Sequence, residues 1–155
     1  MQEDVQILKT WSLNAEAWIK TIADNNIESR RLVTNSAIVE TICSLRPIEI
    51  LDLGCGEGWL INELKQKIPT GNFTGIDAIP ILIEAAKRAN PHSFFYTYSY
   101  ESIISRQYIP ENFFDVIVIN FALFGNEVVV DLLSSIHSFI GSGGHLVIQT
   151  LHPHM

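Results

Sequence analysis

49-EILDLGCGEGWL-60 is the stretch on which the reading of this chain turns. EILDL is a short run dominated by branched apolar residues, the composition of a buried strand, and a helix-like pattern begins near Trp59. Between the two, Gly54, Gly56 and Gly58 stand at alternate positions. Such a turn lets the backbone come close to a ligand where a Cβ would collide, and it leaves the first amides of the helix free to donate. An acidic residue, Asp77, ends the next apolar run.

Outward from this point, residues 47–53, 72–76, 94–97, 114–119 and 144–150 are short apolar runs rich in β-branched and aromatic side chains, and they predict five strands. Residues 58–67, 80–90 and 126–140 predict helices, with Pro80 suited to a first turn and Gly141 to a stop. Strands that are apolar on both faces and alternate with helices belong to a parallel sheet covered on each side. The predicted fold class is therefore α/β, a doubly wound parallel sheet with right-handed crossovers. Residues 47–155 make up this core. Ahead of it lies a helical segment, residues 1–46, whose stretch 11–45 carries Trp11, Trp18, Arg30 and Arg31. It is expected either to pack as helices against the sheet or to act as a lid that closes over a ligand and excludes water.

Composition removes several classes of function. With 155 residues, 47% of them hydrophobic, the chain can bury one sizeable core. A net charge of -7 with only 10 Lys plus Arg leaves no basic face, which argues against nucleic acid as a partner. MQEDVQILKT has an acidic start and no apolar signal core, and no run elsewhere approaches the roughly 18 apolar residues of a membrane span. No membrane partner and a cytoplasmic location are expected. The two cysteines, Cys43 and Cys55, make neither a disulfide scaffold nor a zinc site, which fits a reducing compartment and predicts no metal.

A ligand of an open parallel sheet lies at the carboxyl ends of the strands. Asp52, Gly54, Gly56, Asp77, Ser99, Tyr100 and Asn120 each fall at or just past such an end and are expected around one crevice. A carboxylate at Asp77 can accept both hydroxyls of a ribose. A dinucleotide fingerprint would read G-x-G-x-x-G, but its sixth position here is Trp59, and Glu57 is an acid where a pyrophosphate needs positive potential. A ligand with an amino-acid moiety in place of phosphates suits an acidic turn better, because an ammonium group welcomes carboxylates and carbonyls.

Four motifs in order, 50-ILDLGCGEGWL-60, 75-GIDAIPILIEAAKRA-89, 114-FDVIVINFALF-124 and 140-IGSGGHLVIQTLHP-153, resemble the motif set of the class I S-adenosylmethionine-dependent methyltransferases. The resemblance covers about residues 48–153. It implies S-adenosylmethionine as cofactor, S-adenosylhomocysteine as product, and a Rossmann-like core. Gly54 and Gly56, with Cys55 between them, would be the loop against the methionine part, and Asp77 the ribose acid. Ala78 and Ile79 would border the adenine, and Asn120 and Phe121 would lie near the sulfonium. The reaction implied is in-line attack of a nucleophile on the methyl group, for which positioning can supply much of the rate and a dedicated base is optional. No catalytic residue is assigned. The segment 120-NFALF-124 lacks the Asn-Pro-Pro-aromatic pattern of members that act on amide or base nitrogens, and its apolar character points to a small, partly hydrophobic acceptor.

Two features depart from the family pattern. In place of an acidic residue after strand three the chain reads 97-TYSYESI-103, so adenine contact is expected from Ser99 or the Tyr100 amide. Family domains also continue past strand five with a helix and an antiparallel hairpin, whereas this sequence stops at 151-LHPHM-155. The expectation is an N-terminal piece of a longer protein, or a domain whose last two strands come from a partner. Strand five would then be an open edge that invites pairing, including homodimer formation.

Other residues have plainer readings. His152 and His154 read as solvent-exposed, His137 as partly buried in a helix, and Cys55 as a small filler rather than a nucleophile, since Glu57 disfavours a thiolate. Glu57 either caps the helix or faces the ammonium group of the ligand. The run Phe94, Phe95, Tyr96, Tyr98 and Tyr100 reads as a buried strand and its exit. Asp77→Ala is expected to weaken ligand binding with the fold intact. Two other readings stay open: an NAD-linked oxidoreductase, and a non-catalytic cofactor-binding or assembly module.

Overall fold

A computed structural model describes residues 2–125 and 127–151. Two helices, α1 (Gln2–Ala23) and α2 (Asn35–Ser44), precede the first strand, and a π-helical turn at Arg30–Thr34 leads into α2. There follow β1 (Glu49–Leu53), α3 (Trp59–Lys67), β2 (Asn72–Asp77), α4 (Pro80–Ala89), β3 (Phe94–Thr97), α5 (Tyr100–Ile104) and β4 (Phe114–Asn120). The chain continues through α6 (Glu127–Ile136) and a 3₁₀ turn (His137–Phe139) into β5 (Ile140–Gln149).

The five strands form one parallel sheet in the order β3-β2-β1-β4-β5, as the alternating pattern predicts. β1 is central, with Asp52 in register with Gly75 of β2 and Val118 of β4. Its side chains alternate between two cores. Ile50 joins Ile42 of α2, Leu60, Ile61 and Leu64 of α3, and Ile83 of α4 on one face. Leu51 and Leu53 join Ile103 of α5 and Leu132 and Ile136 of α6 on the other. Each fully buried Leu or Ile is worth about 1.5–3 kcal/mol relative to exposure, so both helical layers are held by the same alternation. The strand order reverses between β1 and β4, and the chain arrives there from opposite faces. That reversal opens a crevice at the carboxyl ends of the strands.

The structure differs from the expected elements at the margins. α1 begins nine residues before the expected helical stretch 11–45. Leu8, Trp11, Ala15 and Trp18 recur at helical spacing along one face of α1 and pack on Ile79 and Leu82, which stabilises the whole length. The expected helix over 126–140 ends at Ile136, and Gly141, instead of stopping a helix, lies inside β5. The pairing of β5 with β4 slips between Phe114↔Ile140 and Val116↔His145, an irregularity that accommodates the extra residues, and Gly143 in this stretch has φ +77. α5 was not foreseen, being too short for a periodic signal. The aromatic run is only partly buried, because β3 is an edge strand: Phe95 is buried, whereas Phe94 and Tyr96 are exposed. His137 is exposed rather than partly buried, since it lies in the 3₁₀ turn, past the end of the helical periodicity. His152 and His154 lie outside the described residues.

Candidate functional site

The crevice is a cavity of about 540 Å³, within the usual range for sites that enclose a small molecule. Its floor is the turn after β1, where Gly54, Cys55, Gly56 and Glu57 meet Asp77, Ala78 and Ile79 from the end of β2. One wall is the segment after β4, Asn120 to Phe124, with Tyr100 and Glu101 from the start of α5. The opposite wall is α1, which contributes Ile7, Leu8, Trp11 and Trp18.

The turn is bare for two reasons. Gly54 has φ +77, and a Cβ there would run into the Cβ of Ala122. The β4 segment therefore crosses directly over the turn, held by the Tyr100 hydroxyl, which donates to the Ala122 carbonyl at 2.7 Å. The chain reverses after β4 through Phe121, whose φ of 52 is costly for a bulky residue, and the Phe121 amide donates to the Gln149 carbonyl at 2.7 Å. Close backbone approach at Gly54 thus serves the packing of the protein as well as access to the cavity.

Asp77 organises the floor. One carboxylate oxygen accepts from the Gly56 amide at 2.9 Å and the other from the Ile79 amide at 2.9 Å. Burial pushes its carboxyl above the usual carboxylate range, against the lowering pull of these amides. Cys55 is buried, and burial first, with the charges of Asp52, Asp77 and Glu57 behind it, pushes its thiol well up, as suits a filler. Glu57 faces the cavity and accepts from the Trp18 indole at 3.0 Å through Oε2. Burial raises its carboxyl, partly offset by its own backbone amide and by the nearby Arg30 charge.

Two predicted positions do not line the cavity. Asp52 is 2% exposed and lies beneath the turn, with Oδ1 lacking any partner among the described residues. Burial, then the charges of Asp77 and Glu57, push its carboxyl up to about 8. It sits one residue too deep in β1, so its side chain is inside the sheet layer rather than beyond it. Ser99 caps α5, accepting from the Ser102 amide at 3.2 Å, and this turns its hydroxyl to the helix; Glu101 lines the cavity in its place. Reasoning from sequence also missed Arg30 as a wall residue, together with Ile7 and Leu8. The spacing of Leu8, Trp11 and Trp18, three and then seven residues apart on one helical face, was the available signal for α1.

Two acids, Glu57 and Asp77, thus meet at the turn above Asp52, whose raised carboxyl keeps its proton at neutral pH, with Arg30 as the cation near them. Such a site favours a cationic group and opposes a pyrophosphate. Glu57 and Asn120, which line the cavity, each keep a buried oxygen, Oε1 and Oδ1, without a hydrogen-bond partner among the described residues.

Residues 50–144 match the family described as "Methyltransferase domain", more than half of the chain. The chain belongs to the methyltransferase domain family. A trans-aconitate 2-methyltransferase from Escherichia coli O1:K1 / APEC is 36% identical over 107 residues, which are 68% of this chain and 40% of that protein. Among solved structures, a TehB-like SAM-dependent methyltransferase from Corynebacterium glutamicum is 27% identical with a TM-score of 0.66, over 90% of this chain and 72% of that one. The plantazolicin methyltransferase BpumL, solved with a pentazolic desmethylPZN analogue and SAH, shares the fold at a TM-score of 0.68 and 21% identity, over 98% of this chain and 62% of that one. This methyltransferase domain spans 27% to 52% of the length of the first curated relatives it matches. No helix among its described residues is long and apolar enough to cross a membrane.

Proposed function

We propose that this domain binds S-adenosylmethionine in the crevice and transfers its methyl group to a small, partly apolar acceptor, releasing S-adenosylhomocysteine. The observation that carries the reading is the acidic turn with a bare backbone, in which Glu57 lines the cavity and Asp77 closes the floor, with Asn120 facing them from the end of β4. Bound cofactor would supply a methyl group already activated by its positive sulfur.

The residues of the chain have the remaining tasks. Asp77 accepts the ribose hydroxyls, Ala78 and Ile79 border the adenine, and Gly54, Cys55 and Gly56 lie along the methionine part. Tyr100 holds the β4 segment over the turn, so that Asn120 and Phe121 flank the reacting centre. Asp52 and Ser99 support from behind, as the base of the turn and the cap of α5. α1 acts as a lid: Leu8, Trp11 and Phe124 form an apolar wall that excludes water and accommodates the acceptor, with the Trp11 and Phe124 rings 5.6 Å apart. The acidic net charge of -7 supports a small-molecule acceptor over nucleic acid. The free thiols of Cys43 and Cys55 are in keeping with a cytoplasmic setting.

Calorimetric titration with S-adenosylhomocysteine, with NAD as control, tests the reading. Micromolar binding of the first alone is the expected result; a preference for NAD, which Glu57 opposes, would overturn it. Binding without methyl transfer by the full-length protein would favour a non-catalytic module. The outer edge of β5 carries exposed Leu146 and Ile148 and has no neighbouring strand among the described residues, which supports pairing with a second copy. Light scattering that finds a monomer at all concentrations would remove that pairing.

A further inference from the structure

Beside the crevice lies a second cavity, of about 450 Å³, bounded by the end of α1, the π-helical turn with the start of α2, and α3. It shares Ile27, Arg30 and Trp59 with the crevice and no other lining residue. Trp59, Glu63 and Lys67 recur at every fourth position of α3 and so line it from one helical face. Its charge runs against that of the chain. The whole sequence has 17 acids to 10 bases, yet this cavity takes three bases, Arg30, Arg31 and Lys67, and one acid, Glu63. Arg30 and Lys67 make no ion pair among the described residues. Arg31 reaches Glu28 only at 4.0 Å, with both side chains more than half exposed, a pair of little strength.

Like charges that converge without a counter-charge repel, and a bound anion removes that repulsion. A bare ion would leave most of this volume empty, since cavities of a few hundred Å³ hold small organic molecules. The rest of the lining suits an organic body: Ile22, Ile27 and Val39 are apolar, and Trp59 offers a ring. The Thr21 and Ser36 hydroxyls donate to the carbonyls of Ala17 at 2.8 Å and Val33 at 3.0 Å, so donation to a ligand falls chiefly to the cations. We propose that this cavity is a second binding site, for a small organic anion whose phosphate or carboxylate groups sit among Arg30, Arg31 and Lys67 and whose body rests on Ile22, Val39 and Trp59. The site takes no residue from the sheet and stands whatever occupies the crevice.

Calorimetric titration with glycerol 3-phosphate, with citrate and with neutral glycerol tests the site, the first two separating phosphate from carboxylate. Binding of either anion, with none of glycerol, is expected. The variants Arg31→Gln and Lys67→Gln touch only this cavity and alter exposed side chains, so their melts should match wild type. Loss of one partly exposed charge pair predicts affinity about 2- to 5-fold weaker in each, and about 4- to 25-fold weaker in the double variant. Glu63→Gln removes the one acid and should tighten the anion by about 2- to 5-fold, a gain that a purely structural role of these side chains would not produce. Glu101→Gln, which alters the crevice alone, should leave anion affinity unchanged. If neither anion bound, or if the double variant bound as well as wild type, the site would be refuted. A response to Glu101→Gln in place of the double variant would put the anion in the crevice and refute it equally.

Discussion

Replacing Asp52 with asparagine should stabilise the protein, by an amount that grows with pH. Asp52 is 2% exposed, its Oδ1 has no partner among the described residues, and its carboxyl is pushed from 3.8 to about 8, by burial first and then by Asp77 and Glu57. The folded chain therefore keeps a proton on Asp52 that the unfolded chain gives up. Stability from this group is complete below the unfolded pKa and is lost as pH rises toward the folded one. With 1.36 kcal/mol for each unit, the carboxyl removes about 3 to 4 kcal/mol of stability between pH 5 and pH 8. Asparagine has no such slope, and all other groups are shared, so the difference between the two proteins isolates it. At about 2–4 °C per kcal/mol for a chain of this size, the Tm of Asp52→Asn should pull ahead of wild type by roughly 10 °C across that window. Thermal melts at half-unit pH steps read it directly. Parallel profiles, or a variant less stable at every pH, would show that the carboxyl is satisfied in the folded protein and would refute the argument.

Two further substitutions probe the turn. Asp77→Ala should weaken S-adenosylhomocysteine binding by about 1–3 kcal/mol, but it will not leave the fold untouched, because the Gly56 and Ile79 amides lose their acceptors at a cost of about 1–3 kcal/mol each. A titration paired with a urea melt should therefore show both effects, and an unchanged melt would mean that water replaces the carboxylate. Gly54→Ala places a side chain at φ +77 and into Ala122, so the left-handed backbone alone costs about 1–2 kcal/mol. The melt should fall by more than that figure, and a smaller shift would mean that the β4 segment gives way easily.

The sheet was legible because its strands are apolar on both faces, a pattern that a parallel, helix-covered sheet requires and few other arrangements tolerate. The turn was legible for a related reason: three glycines between a strand and a helix have a steric meaning that survives any change of neighbours. Contributions that depend on depth or on partners distant in sequence were not. Nothing in the local sequence shows that Asp52 ends below the cavity floor while Asp77 reaches it, because the difference lies in where each strand stops relative to the turn. Ser99 and Glu101 exchange roles for a five-residue helix whose cap decides which side chain turns outward. Arg30 was legible only as a member of the helical segment before the sheet, and its place beside Trp18 and Trp59 depends on three segments that meet only in the folded chain. The stretch 140–144 read as a helix stop and became a slipped strand, since glycines allow either and pairing with Phe114 chose.

The packing of α1 has a kinetic side. Of its described side chains only Ala15 is fully buried, while the sheet is held by two continuous apolar layers. Release of α1 should therefore cost less than disruption of either sheet layer, and it would remove one wall of the cavity. If α1 opens in this way, the apparent dissociation constant equals the intrinsic value divided by the fraction of chains able to hold ligand. A change that loosens Leu8 or Trp11 should then trade affinity for faster exchange of ligand, and one that tightens them should do the reverse. On the proposed reading, a helix that takes no part in the sheet would govern how fast ligand enters and leaves the site.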